Sequence, residues 1–539
     1  MNQTFTPIVL TVLLGLLSFF LWQNNQKKAA LSAGASRWWL GLLLVLALLF
    51  RLLVVRNQEG NEDTSTWLSC LITIQHDPDT AWTFLNYTDS RPLTVLPLVL
   101  ASKLGLPMDY AGAQVVSILL WLGTFFLFYR TILLWETRRY ALLYTWVLCL
   151  FMGTTNYADY VSYNSEHVGV LMLCLATYWY LQNEKVGPIG KVKTLLLGLL
   201  LGSLLFAKFQ NIPMGLIIGG FCLVSFLAAK DWLRAGLLIV ASLLPTLVVN
   251  GYFAWRGEPS TFWNNYFWNY FYYSYTNEFS STAISDRFHP VRLGFFIFRS
   301  RFHGLYFIPL LGVLLLAVYY VGRYRPSLDY FQRINGAFAS LLLLASVYAV
   351  AQSGSLFDHY LLYLLVPFTY LVAWLVSFVP TPLRSYLLGL LLVGAMVQAS
   401  HNMLTRLPWS EPTGHQFDTP LVEYIKKNSR PADRLVVWGW ADRLYVKTRR
   451  ALGYRMPHSH HLLMPSRLYN FREKIFLHDM EQNQPALFVD AAVPGFSIME
   501  NLLKPHDSFP NIAAYIRKNY RLTKTIRGIR VYKRLAVPL

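Results

Sequence analysis

Charged residues are scarce in this chain. They make up 14% of its 539 residues, where a soluble protein of that size carries roughly a quarter. The deficit is concentrated in the first 401 residues, which excludes an ordinary soluble chain over that stretch. Cysteine is almost absent. Cys70, Cys149, Cys174 and Cys222 are the four, the last three inside apolar runs, so neither a disulfide framework nor zinc spacing is present. There is no G-x-x-x-x-G-K-[ST] and no G-x-G-x-x-G, so no nucleotide cradle, and no H-E-x-x-H. His458, His460 and His461 cluster without a partner set for a metal. Internal repeats and low-complexity linkers are also missing.

What is there is apolar sequence: 55% hydrophobic residues and a mean hydropathy of +0.36. Runs such as WWLGLLLVLALLF do not alternate with the period of a strand, so helices are expected to satisfy the backbone within the bilayer. The expected spans are Thr6–Trp22, Trp38–Val55, Tyr110–Tyr129, Tyr140–Met152, Val168–Leu181, Thr194–Ala207, Ile212–Ala229, Leu233–Phe253, Leu305–Val321, Ile334–Ala351, Leu361–Phe378 and Tyr386–Ser400. Met1–Pro7 has no positive charge and no small-residue cleavage site follows Trp22, so Thr6–Trp22 is expected as a retained helix.

The formal net charge of +19 sits on residues that flank these helices, which points to membrane anchoring and anionic ligands and away from nucleic acid. Lys and Arg also set the orientation. Lys27, Lys28 and Arg37, Arg130, Arg138 and Arg139, Lys185, Lys191 and Lys193, Lys230 and Arg234, Arg323, Arg325 and Arg333, and Arg384 mark loops expected in the cytoplasm. The opposite short loops Gly153–Tyr163 and Gln352–Tyr360 carry neither residue. Arg56–Asp109, Ala254–Gly304 and the chain after His401 are therefore expected outside the membrane, as is the N-terminus.

Residues 1–401 are thus expected as a polytopic transmembrane domain and 402–539 as a soluble extracytoplasmic α/β domain. In the tail, FDTPLVEYIKKN and FPNIAAYIRKN read as helices, and RLVVW, PALFVD and IRVYKR as short strands. At roughly 130 residues it is large enough to bury a core of its own.

The chemistry is expected in the outward loops. The first contains adjacent acids, Glu62 and Asp63, and returns through Asp89-Ser90-Arg91-Pro92-Leu93. A poorly solvated carboxylate there can act as a general base toward a hydroxyl, against the plainer reading of a solvated loop. Asp77 and Asp79 in HDPD read as turn residues. Glu166, in YNSEHVG, sits where a helix re-enters the bilayer: either a structural acid at a helix N-terminus or a second wall of the pocket. Lys208, between two apolar runs, either holds a phosphate or snorkels to the interface. His359 and Tyr360, beside the capping candidate Asp358, are further candidates for substrate contact. Ten of the fourteen residues Phe262–Tyr275 are aromatic, which excludes a solvated loop and predicts an amphipathic interfacial helix. Arg256, Arg287, Arg292, Arg299 and Arg301 around it meet lipid headgroups or a phosphate.

The order of these features resembles the GT-C class of membrane glycosyltransferases, in the branch of the protein O-mannosyltransferase and aminoarabinose-transferase families. An outward helix is followed by NED, then SRPL, the acid of YNSEHVG, the lysine of AKFQ, the FDHYLLYLLVPF helix, and an α/β tail with VVWGWADRLYVKTRR. The resemblance covers most of the chain and implies a mainly α membrane protein, a bundle of about 11–13 transmembrane helices with a C-terminal extracytoplasmic α/β domain. It implies a polyprenyl-phosphate sugar as donor and an acceptor lipid, glycan or protein at the outer face of a cell membrane, the inner one in a bacterium. The base would be Asp63 or Glu62; the family often shows Asp before Glu, whereas this chain reads Asn61-Glu62-Asp63. Arg91 would contact the donor phosphate, with Lys208 and His359 as further phosphate contacts. A bound divalent cation could do part of that work, and the sequence makes no cofactor certain. The competing readings are a transporter or flippase of lipid-linked glycans, and a polymerase or ligase that shares the lipid donor.

Overall fold

Two short helices form the middle of the apolar bundle. In Arg138–Thr154 every residue from Tyr140 onward is buried, and Leu362–Val376 is buried on nearly every position. Helices apolar all round need cover on every side, and their neighbours provide it. The computed structural model describes residues 5–25, 31–80, 91–275, 282–405, 418–463, 466–497 and 503–535. Asp89 and Ser90 lie outside them. The chain divides into two compact units, Met1–Val55, Ser117–Tyr252 and Thr282–Pro408 in the first, and Arg56–Val116, Phe253–Ser281 and Trp409–Leu539 in the second.

The first unit is helical. Each expected span falls on a helix: Phe5–Asn25, Ala33–Leu52, Tyr110–Ile132, Arg138–Thr154, Ser165–Lys185, Lys191–Ser203, Ile212–Ala228, Trp232–Trp255, Gly304–Tyr324, Tyr330–Ala351, Leu362–Val376 and Thr381–Leu404. Among the described residues, eight helices are long and apolar enough to cross a membrane. Local signals mark their starts. Ser32 accepts from the Ala35 amide at 3.2 Å, and Asp329 and Gln332 form a capping box. Trp232–Trp255 is peripheral, with Leu243, Leu247 and Val248 exposed, as a lipid-facing helix requires.

The second unit carries a five-stranded sheet. Arg434–Trp438 (β1), Ala451–Leu452 (β2), Leu487–Asp490 (β3), Tyr520–Ile526 (β4) and Ile529–Arg534 (β5) take the order β2-β1-β3-β5-β4. β1 pairs parallel with β2 and β3; β5 pairs antiparallel with β3 and β4. The three expected strands are β1, β3 and β5, and the two expected helices are Asp418–Asn428 and Pro510–Asn519. β2 is two residues long, and β4 is a largely exposed strand without apolar alternation, so neither gives a periodic signal. Arg527 and Gly528, both at positive φ, make the two-residue turn that joins β4 to β5.

Two further helices, Glu62–His76 and Pro92–Lys103, occupy the stretch expected as an outward loop and pack on each other. Their polar capping sequences, Asn61-Glu62-Asp63 and Arg91-Pro92, gave the starts; the mixed composition hid the rest. Phe262–Tyr275 is helical, with a π-helical turn over Trp263–Trp268. Phe262, Tyr266 and Tyr270 are buried, whereas Trp263, Phe267, Trp268 and Phe271 stay exposed on the other side.

Candidate functional site

In the second unit, the acids open a helix. Asn61 is the N-cap of Glu62–His76 and its side chain accepts from the Asp63 amide at 2.9 Å. Glu62 and Asp63 fill the first turn, half-buried, where the helix dipole favours negative charge. The helix is held along its length. Thr66 donates to Asp442 Oδ2 at 2.6 Å, the Thr73 hydroxyl accepts from the Leu452 amide at 2.9 Å, and Asp77 pairs with Arg434 at 3.1 Å. Asp77, read as a turn acid, thus also ties the helix end to β1.

A third acid of the same stretch was missed from sequence. Glu59 is 3% exposed and accepts from the Ser65 hydroxyl, which also shares a 2.8 Å hydrogen bond with the Tyr110 hydroxyl. Nothing in QEGNED separates it from its neighbours; burial alone does. Arg91 is 1% exposed, precedes the helix Pro92–Lys103, lies over the Tyr266 ring at 4.9 Å and donates to the Tyr266 carbonyl at 3.5 Å.

In the first unit, four of the sequence candidates meet. Glu166, fully buried in the first turn of Ser165–Lys185, pairs with Lys208 at 2.5 Å. The ammonium sits over the Tyr360 ring at 4.7 Å, and the His359 ring stands perpendicular to Tyr360 at 4.8 Å. His359 Nδ1 lies 3.5 Å from Asp159. Lys208 is therefore not a lone snorkelling cation: its charge is matched by a buried carboxylate. Gly169 makes this approach possible. A Cβ at Gly169 would collide with the Asn211 side chain, one turn beyond Lys208. Asp358 is not a side-chain cap; it accepts from the Tyr157 hydroxyl at 2.6 Å.

Arg51 was also missed, whereas His167 follows Glu166 in YNSEHVG. Arg51 is 3% exposed and, among the described residues, bonds the neutral Ser117 hydroxyl and the carbonyls of Tyr160 and Val161, while its Nη1 has no hydrogen-bond partner there. His167 is buried between Trp121 and Tyr163 within the fields of Arg51 and His359, and among the described residues neither ring nitrogen has a hydrogen-bond partner. A buried guanidinium facing only neutral acceptors favours an anion. The sequence signal was present, an Arg at the end of an apolar run, but it reads equally as an interfacial anchor.

Among the described residues, no group of three or more His, Cys, Asp or Glu side chains has an arrangement able to hold a metal ion. His458 is bonded to Asp442 at 2.9 Å, and His461 is buried with its carbonyl bonded to Arg472. Burial, then the Arg472 charge, holds the His461 imidazole well below its usual pKa.

No family model matches the chain, and no curated protein does. Among solved structures it is similar to ArnT from Cupriavidus metallidurans bound to undecaprenyl phosphate, at 12% identity and a TM-score of 0.55 over 92% of this chain and 98% of that one. The apo form of the same ArnT matches at 12% identity and 0.55 over 94% and 100%. An Archaeoglobus fulgidus oligosaccharyltransferase aligns at 11% identity and 0.42 over 84% and 68%. The ArnT likeness shows the fold: a GT-C-like bundle of membrane helices with a small C-terminal sheet, as the sequence resemblance implied.

Proposed function

We propose that this protein is a glycosyltransferase that moves a sugar from a polyprenyl-phosphate donor to an acceptor at the extracytoplasmic face of the membrane. The observation that carries the reading is the helix Glu62–His76. It opens with two carboxylates and is tied to the C-terminal domain within a fold shared with ArnT, which was crystallised with undecaprenyl phosphate. A donor anchored by its lipid tail needs no nucleotide cradle, which agrees with the missing phosphate-loop motifs.

In this mechanism Asp63 or Glu62 removes the proton from the acceptor nucleophile as it attacks the anomeric carbon. The new glycosidic bond forms while the bond from that carbon to the phosphate oxygen breaks, and the phosphate leaves with the electron pair. Arg91, in the same unit as these acids, is the proposed stabiliser of charge on the leaving phosphate. Lys208, His359 and Arg51, in the first unit, are proposed anion contacts in their own right. Glu166 and Tyr360 orient Lys208. The orientation is supported by the grouping of Arg56–Val116, Phe253–Ser281 and Trp409–Leu539 in one unit, because the charge rule assigns these segments to one side. Residues 402–539 are then the extracytoplasmic domain, and in a bacterium the membrane is the inner one.

The test is incubation of purified protein with a panel of polyprenyl-phosphate sugars, reading free polyprenyl phosphate. The double variant Glu62→Gln/Asp63→Asn is expected to lose at least about a hundredfold in rate while keeping its fold. Full activity in that variant removes these acids from the role of base. Release from no donor removes the transfer reading.

A further inference from the structure

Among the described residues, the buried polar atoms of the second unit without a hydrogen-bond partner include Oδ1 of Asp442 and Nε1 of Trp440. A buried carboxylate oxygen or indole N–H left unpaired costs free energy, so each calls for a polar partner from outside the chain. The two belong together. Trp440 stacks on the His458 ring at 4.3 Å and 24°, and His458 Nδ1 is bonded to Asp442 Oδ2 at 2.9 Å. Asp442 Oδ2 also accepts from Thr66 at 2.6 Å, which leaves Oδ1 as the unused face of the carboxylate.

The backbone is shaped to present them. Gly439, at a φ of 105°, turns the chain at the carboxyl end of β1, where a Cβ would crowd Ser497 and Ala491. Ser459 and Ser497 accept from the Gly439 and Trp440 amides at 2.6 and 2.7 Å and fix the turn. Carboxyl ends of parallel strands are where open α/β sheets bind ligands. Thr66 lies one helical turn after Glu62, about 6 Å along the axis, so the pair sits next to the acids of the proposed mechanism.

We propose that Trp440 and Asp442 form a saccharide subsite. The Trp440 indole N–H donates to a ring or hydroxyl oxygen, Asp442 Oδ1 accepts from a sugar hydroxyl, and the ring that Trp440 stacks on His458 offers an apolar surface to C–H groups. A free carboxylate oxygen repels a phosphate, so the occupant is the neutral sugar of donor or acceptor and not the anion. This inference rests on the sugar-transfer reading for its ligand class, and its test is a binding measurement that needs no turnover.

The full-length protein in detergent is probed with a panel of methyl pyranosides by saturation-transfer NMR, with inorganic phosphate as competitor. The expected result is saturation transfer from the wild type that phosphate does not displace. Asp442→Asn is expected to weaken binding about 10–100-fold and Trp440→Phe, which keeps a ring over His458, about three- to tenfold. Thermal unfolding confirms that both variants fold; if Asp442→Asn does not, Trp440→Phe alone decides. Absence of transfer for every pyranoside, displacement by phosphate, or wild-type binding in the folded variants overturns the subsite. If no polyprenyl-phosphate sugar is turned over but pyranoside binding is lost in Trp440→Phe, the transfer reading falls and the subsite stands. With turnover, a raised KM for donor or for acceptor in Trp440→Phe says which sugar occupies it.

Discussion

Glu166 and Lys208 stand 2.5 Å apart, the carboxylate wholly buried and the ammonium over the face of Tyr360. Removing one partner leaves a buried charge without its match. Glu166→Gln is expected to cost about 3–5 kcal/mol of stability, and the double variant Glu166→Gln/Lys208→Met less than that. Thermal unfolding of the two singles and the double in detergent gives the coupling; additive losses would show that the pair is not energetically linked.

Arg91 is a buried cation of the second unit, 1% exposed. Arg91→Ala is expected to weaken donor binding about 10–100-fold, the worth of a charge-assisted hydrogen bond. Arg91→Lys keeps the charge but loses the planar stack on Tyr266 and is expected to recover only part of the affinity. Unchanged donor affinity in both would make Arg91 a purely structural residue.

Gly169→Ala tests how Lys208 is positioned. The added methyl meets the Asn211 side chain, and overpacking of this kind costs about 1–3 kcal/mol. Donor turnover is expected to fall with stability, because the segment that carries Lys208 must shift. Gly169→Ala combined with Asn211→Ala removes the collision and is expected to regain stability; no recovery would point to another cause.

The second unit carries a buried imidazole that is expected to make its stability fall in acid. His461 is held neutral well below its usual pKa by burial and then by Arg472. Above pH ~6.5, the unfolded-state value, both states are neutral and the residue contributes no pH dependence. As pH falls below ~6.5 the unfolded chain takes up a proton that the folded one refuses, so stability falls toward the depressed folded pKa. Unfolding of the full chain followed from pH 8 to 5 is expected to show this slope, and His461→Phe to flatten it. An identical slope in the variant would assign the sensitivity elsewhere.

The apolar runs by themselves determined the helices of the bundle. A backbone in a bilayer must close its own hydrogen bonds, so a long apolar run there has one solution, and even Tyr140–Met152 lies within the helix Arg138–Thr154. The short β-branched and aromatic runs in RLVVW and IRVYKR gave β1 and β5 for a similarly local reason. Tertiary structure decided what meets what. Lys208 finds Glu166 across 42 positions and Thr66 finds Asp442 across 376, and no local pattern encodes such pairings. Glu59 and Arg51 look like their exposed counterparts in sequence; only packing takes them out of water, where charge and hydrogen bonding become expensive enough to matter.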